Sequence, residues 1–201
     1  MINRFSFFFT FILLLVLMSC KNTNRGAVEE GKLENGVYSS SYFNVSINVP
    51  GSWTVDTLGK IEKTTPATEA DKKDTVLVAN LLTIYQENEK EAFKPNLSMI
   101  AERCTLYPDL KNENDYLVHI QKQYSDLNPI TTEIKKTFLK NNIECFTFDL
   151  KMTIQEMTMK QTHFALQQND FYIDITLTYQ TDEQKEELDA IVNSLKMNQL
   201  H

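Results

Sequence analysis

Three cysteines and three histidines hold most of the soft-nucleophile and metal-ligand chemistry in this chain of 201 residues. Cys20 follows Leu17-Met18-Ser19, and the apolar run from Phe5 to Met18 has Ser6 and Thr10 as its only hydroxyl side chains. A thiol after a small residue, at the end of such a run, is placed for covalent modification. Cys104 and Cys145 stand apart from it and from each other. No CxxC is present, so thiol–disulfide exchange has no motif here. The two thiols either pair or remain separate and buried, and pairing needs α-carbons within about 7 Å. His163 shares an alternating stretch with Met157, Met159 and Gln161, and Met152 can approach it across a hairpin. Thioether and imidazole ligands suit Cu(I), although the same methionines also serve as adaptable core or interface filling. His119 lies between Val118 and Ile120 with Glu113 and Asp115 nearby, a spacing that matches no HExxH-type zinc site. It reads as a helix-side residue near a sheet. There is no GxSxG and no glycine-rich phosphate loop, so no catalytic residue, no metal site and no cofactor is expected.

The run ending at Cys20 resembles a lipoprotein signal peptide. Arg4 gives a short positive start, and residues 5–18 are too few for a comfortable membrane span. Leu17, Met18 and Ser19 resemble a lipobox, with Met18 a slightly unusual filler. That likeness implies a diacylglyceryl thioether on Cys20, cleavage before it and further acylation. Two or three chains, at about 0.8 kcal/mol per buried methylene, hold a domain at a bilayer. The residues after Cys20 are Lys21, Asn22, Thr23 and Asn24. No aspartate follows the cysteine and no acidic cluster follows it either, which points to the periplasmic face of the outer membrane.

Without residues 1–19 the chain keeps 19 of its 20 Lys and Arg against 27 Asp and Glu, a net charge of −8. An acidic surface with no basic, aromatic-interleaved patch repels polyphosphate, so nucleic acid is excluded as an expected partner. The membrane is reached by lipid. Residues 20–36 read as the lipidated cysteine and a flexible tether, and residues 37–201 as one domain large enough to fold without disulfide or metal.

The elements that position these residues follow from periodicity. Phe43, Val45, Ile47 and Val49 alternate with polar residues and stop at Pro50-Gly51, the pattern of a half-buried strand. Trp53 and Val55 make a short extended piece, and Lys60 to Asp74 reads as a solvated loop. The apolar run from Thr75 to Gln86 predicts a central strand covered on both faces, and Pro95 to Cys104 a weaker one. Over Asn114 to Leu127, Tyr116, Leu117, Ile120, Tyr124 and Leu127 recur at helical spacing, which predicts an amphipathic helix laid on the sheet. Ile130 to Leu139 reads as a strand. Three hairpin strands follow, Ile143 to Ile154, Thr158 to Gln167 and Phe171 to Tyr179. Thr181 and Gln184 form a capping box ahead of Leu188, Ile191, Val192 and Leu195.

Pro50-Gly51-Ser52-Trp53, Phe93-Lys94-Pro95-Asn96-Leu97 and Val192-Asn193-Ser194-Leu195-Lys196, in this order of elements, resemble the PsbP-like superfamily, which includes DcrB-like bacterial envelope lipoproteins. The likeness covers Tyr38 to Met197. It implies an α+β fold, a mainly antiparallel β-sheet with helices packed across it in an α/β/α sandwich, with Pro50 as a turn and Trp53 as a core plug. It also implies a non-catalytic protein-binding or assembly module with an envelope protein partner. The alternatives are a carrier of a small apolar ligand, in a pocket lined by Tyr116, Tyr124, Phe146, Phe148, Phe164 and Phe171, and an enzyme.

Overall fold

The computed structural model describes residues 31–63, 76–87 and 93–197. The lipobox residues Leu17, Met18, Ser19 and Cys20 lie outside them, as does most of the expected loop between Lys60 and Asp74.

Twelve strands in two antiparallel sheets and two α-helices make up the described fold. The small sheet contains β1 (Lys32–Glu34), β2 (Val37–Ser40), β3 (Val45–Asn48) and β12 (Lys196–Met197), in that spatial order. The large sheet contains β4 (Trp53–Lys63), β5 (Val76–Gln86), β6 (Asn96–Arg103), β7 (Ile130–Thr131), β8 (Lys135–Leu139), β9 (Ile143–Ile154), β10 (Met157–Gln168) and β11 (Phe171–Tyr179). Its order is β4-β5-β6-β11-β10-β9-β7, with β8 also paired to β9. Helix α1 is Glu113–Gln123 and helix α2 is Asp182–Val192.

Each face of the large sheet has its own core. On one face, Trp53, Leu82, Met99, Phe171 and Ile175 pack with the small sheet's Ile47 and with Leu188 of α2. On the other face, Phe148, Leu150 and Tyr172 meet Tyr116, Leu117 and Ile120 of α1. Strand alternation makes this division: along β9, Cys145 belongs to the first core, and Phe148, Leu150 and Met152 to the second. Each helix presents an apolar stripe to its sheet face. Helix α2 starts at the expected capping box, Thr181 Oγ1 accepting from Gln184 N at 3.3 Å while Gln184 Oε1 accepts from Thr181 N. Asn141, Asn142 and Asn169 sit at φ of 71°, 57° and 57°, the left-handed geometry that asparagine tolerates at the expected turns.

Five expectations change. The helix expected over Asn114 to Leu127 ends at Gln123, and Leu127 lies beyond it in a tighter turn closed by Asn128 at φ 46°, where its side chain is 45% exposed. Strand β1 lies inside the stretch read as a tether and pairs with β2 through Asn35-Gly36, so the sheet begins at Lys32. Strand β4 runs to Lys63 where a loop was expected from Lys60. The strand expected over Ile130 to Leu139 is two short strands, because Thr132 takes the Asp149 N–H on its hydroxyl at 2.8 Å and interrupts the main-chain ladder. Strand β5 is not covered on both faces: it is next to the edge, with Thr83 and Tyr85 half-buried. A register shift between Asn80 and Leu82 resets its alternation, so Leu81, Leu82 and Ile84 are all buried and the sequence looks continuously apolar. The strand covered on both faces is β11, where eight of nine residues are buried.

Candidate functional site

Beneath α1, His163 is 1% exposed and is the centre of a closed polar network. Its Nδ1 lies 3.3 Å from both Asp174 oxygens and 3.1 Å from Thr176 Oγ1. Thr176 Oγ1 itself donates to Asp174 Oδ2 at 3.1 Å. The acceptor-only carboxylate assigns the proton to Nδ1. Nε2 is then an acceptor and lies 3.4 Å from Gln161 Oε1, a contact of two acceptors that carries no hydrogen bond, while Gln161 Nε2 donates to Thr178 Oγ1 at 3.2 Å. A Ser/Thr–His–Asp catalytic relay needs hydroxyl and carboxylate on opposite ring nitrogens. Here both meet Nδ1, and the hydroxyl is turned toward the acid. Phe148 stacks on the imidazole and Tyr124 closes its edge.

Next to it, Glu102 Oε2 accepts from Tyr116 Oη at 2.7 Å and from Tyr107 Oη at 3.0 Å. Burial, reinforced by Asp174 and Glu102, pushes the Tyr116 phenol far above its ordinary range. Burial together with Glu102 pushes Tyr107 up to about 12. Both phenols therefore remain donors at neutral pH and serve Glu102 as positioned hydrogen bonds.

The Met–His grouping read from the sequence does share one face, and Met159 pairs directly with Met152. Met152 is buried in the α1 core and Met159 packs against it, so these thioethers fill space around the network. His119 faces Tyr107, at a ring separation of 4.9 Å, and Gln123 instead of the sheet. Cys104 and Cys145 are free thiols. Cys145 faces the core shared with α2, whereas Cys104 packs against the α1 core, so the sheet lies between them. Among the described residues, no group of His, Cys, Asp and Glu is arranged to hold a metal ion, and no helix is long and apolar enough to cross a membrane.

The six aromatics proposed to line a carrier pocket do not surround one space. Phe164 and Phe171 belong to the core on the α2 side, while Tyr116, Tyr124, Phe146 and Phe148 belong to the α1 side. The sheet itself divides them.

An open cleft of about 550 Å³ lies elsewhere, where the turn after β3, the end of β5 and helix α2 meet. Pro50, Trp53, Ala190 and Ile191 give it an apolar floor, and Asn48, Ser52, Gln86, Glu187 and Ser194 a polar rim. Trp53 is 7% exposed, so most of its ring plugs the core, as expected, and its remaining surface borders the cleft. Its pairing with Gln86 joins the two strands at this end. Gln86 Nε2 donates to Glu187 Oε2 at 2.8 Å, tying the sheet to α2, and Ser194 Oγ accepts from Asn48 N at 2.9 Å, tying α2's end to β3. No histidine, cysteine or basic residue lines the cleft. Sequence reasoning singled out Trp53 as a core plug, Glu187 with Glu183 and Glu186 as acids favouring the helix start, and Ser194 within the Val192–Lys196 pattern, but gave none of them a place in a cleft and did not single out Gln86; the signal available was the apolar stripe of α2, whose polar flank borders the rim.

No family model and no curated protein sequence matches the chain. Solved structures do. The solution structure of the cyanobacterial PsbP protein CyanoP from Synechocystis superposes with a TM-score of 0.53 at 13% identity, over 91% of this chain and 99% of that one. A crystal structure from Bacteroides thetaiotaomicron gives a TM-score of 0.44 at 8% identity, over 86% of this chain and 49% of that one. LpqN of Mycobacterium tuberculosis, described as involved in cell envelope biogenesis, gives 0.40 at 11% identity, over 75% and 78%. The fold assignment rests on the first of these. The chain has a PsbP-like α+β fold, mainly antiparallel sheet with two helices.

Proposed function

We propose that this protein is a lipid-anchored module of the bacterial cell envelope that recognises another envelope protein without catalysing a reaction. The observation that carries the reading is the contrast between its two polar regions. The imidazole–carboxylate network is sealed under α1 with its hydroxyl on the wrong nitrogen for relay chemistry. The open cleft has the surface of a recognition site, an aromatic and aliphatic floor inside a hydrogen-bonding rim, as a buried hot spot on a partner requires. The lipobox-like residues Leu17, Met18, Ser19 and Cys20 supply the address, and tethering to the periplasmic face of the outer membrane raises the local concentration of the cleft near membrane-associated partners. The division of the aromatic residues between two cores weighs against the carrier of a small apolar ligand.

The test is site-specific photo-crosslinking with the full-length protein in native envelopes. A photoreactive residue at Ser52, on the exposed rim, should give one discrete protein adduct by mass spectrometry. The same residue at Lys122, exposed on α1, should not. Equal adducts at both positions, or none at Ser52, would overturn the reading.

A further inference from the structure

We propose that the Trp53–Glu187 cleft selects an arginine side chain presented by the partner, an inference that rests on the protein-binding reading and gives its partner a chemistry. The cleft holds a single ionisable group, Glu187, and no base to neutralise it. Glu187 Oε2 is already held by Gln86 Nε2 at 2.8 Å, which orients the carboxylate without consuming its charge. Among the described residues no hydrogen bond reaches the other oxygen, and it is the acceptor offered to a ligand.

Among the described residues, two bases near this end of the fold are bound elsewhere. Lys94 binds Glu87 and lies over the Tyr85 ring. Tyr85 and Gln86 are successive strand residues, so Lys94 is on the opposite side of the sheet from the cleft. Lys185 of α2 is bound to Asp189 at 2.7 Å. Of the other carboxylates on this helix, Asp182 is paired with Lys160, Glu183 is held low by main-chain and Thr181 hydrogen bonds at the helix start, and Glu186 is exposed outside the cleft lining. The cleft therefore presents one oriented negative charge over an apolar floor.

A ligand matching both parts needs an apolar stem and a cationic head. Arginine and lysine each have them, but the guanidinium is the better fit. It is planar, carries its charge over a weakly hydrated surface that tolerates the apolar floor of Pro50 and Ala190, and donates in a fork to a carboxylate, with hydrogen bonds left for the uncharged rim oxygens of Asn48, Ser52 and Gln86. Lysine, a compact and strongly hydrated charge, cannot fork between the carboxylate and the rim oxygens and gains less from an apolar floor.

Trp53 is the only tryptophan, so its fluorescence reports on this cleft directly. The purified protein should be titrated with an acetylated, amidated Gly-Arg-Gly peptide, its citrulline analogue of nearly equal shape and no charge, and the Gly-Lys-Gly peptide. Saturable fluorescence change should appear with arginine, be weaker with lysine and be absent with citrulline. Glu187→Gln should weaken arginine binding by about fivefold or more, the loss expected for one charge-assisted contact at a partly open rim. Glu186→Gln removes the same charge outside the cleft and should leave binding within about twofold, as expected for an exposed charge that makes no contact. Equal binding of the citrulline and arginine peptides, or equal loss in the two Gln variants, would overturn the proposal. So would an E187-dependent response to phosphatidylethanolamine vesicles with none to peptide, which would assign the cleft to a lipid headgroup. A failed peptide titration alongside a discrete protein adduct at Ser52 overturns the arginine inference and leaves the recognition reading standing. E187-dependent peptide binding without any envelope adduct does the reverse.

Discussion

His163 and Phe148 face each other as a register pair of β10 and β9, their rings 4.8 Å apart between centroids and within 4° of parallel. The stack fixes the plane of the imidazole, and Asp174 and Thr176 fix its rotation within that plane. Helix α1 then closes over a ring whose Nδ1 has its hydrogen bonds inside the fold. A buried pair of this kind contributes little net stability against apolar filling of equal shape, but it is costly to break on one side. Its effect is to give α1 a single seat on the sheet.

His163→Ala is therefore expected to destabilise the domain by about 3–5 kcal/mol, since it opens a cavity and strands the Asp174 carboxylate. Urea denaturation of the single variants and of a His163→Phe/Asp174→Leu double variant measures the coupling. The double variant should recover a large part of the loss. Additive losses in the double variant would show that the two residues do not act as a pair.

The second half of the fold was legible because local and long-range signals agree there. Residues 143–179 alternate cleanly, and Asn169 at φ 57° lies where a turn residue is wanted. The turn between β9 and β10 is built from Gln155 and Glu156 at φ 48° and 69°, with no glycine or asparagine, so only the alternation marks it. Strand β1 went unread for the opposite reason. Asn35-Gly36, at φ 51° and 73°, is the standard signal of a two-residue hairpin turn, but Lys32-Leu33-Glu34 offers one apolar residue and no period to go with it. The face shared by Met159, Gln161 and His163 follows from strand parity. Asp174, eleven residues further on, becomes the partner of His163 only through the β10–β11 register. Of the cleft only Trp53 and the stripe of α2 were legible, because Asn48, Gln86 and Glu187 come together only once the small sheet, the end of β5 and α2 are assembled.

Trp53 is expected to behave as a core residue that also borders the cleft. Trp53→Ala should cost about 3–5 kcal/mol in equilibrium denaturation, the range for a large buried truncation. A loss below about 1 kcal/mol, typical of surface substitutions, would reject its placement in the core.

The thiols give a pH-dependent prediction. Burial pushes Cys145 up to about 11, and burial with the charge of Asp170 raises Cys104. The folded state thus keeps the Cys145 proton that the unfolded chain, with a thiol near 9.0, gives up. The associated stabilisation is complete below the unfolded value and is lost as pH rises toward the folded one. Stability should fall between about pH 9 and pH 11, and a Cys145→Ala variant should show a shallower fall across that window. Under native conditions at pH 8, both cysteines should titrate as thiols, half-buried Cys104 reacting first and buried Cys145 reacting only through opening. A steeper loss of stability for Cys145→Ala, or recovery of a Cys104–Cys145 disulfide from the native protein, would contradict this placement.

Attachment is the prediction on which the envelope reading depends most directly. Cys20 follows a singly charged start and an apolar run in which Leu17 and Ser19 occupy the lipobox-like positions. Expressed in a bacterial host with labelled palmitate, the protein should take up label and fractionate with membranes. Cys20→Ala should take up none and should accumulate unprocessed or as a soluble product. Because one acyl chain alone gives only marginal, reversible membrane binding, partial acylation should appear as a protein that washes off at high dilution, whereas full processing resists it. The Ser52 photo-adduct should weaken in the Cys20→Ala protein while binding of the arginine peptide to the purified domain stays the same, since the anchor changes concentration at the membrane and not the cleft. Unchanged palmitate labelling of Cys20→Ala would place the modification elsewhere and remove the basis for the anchor.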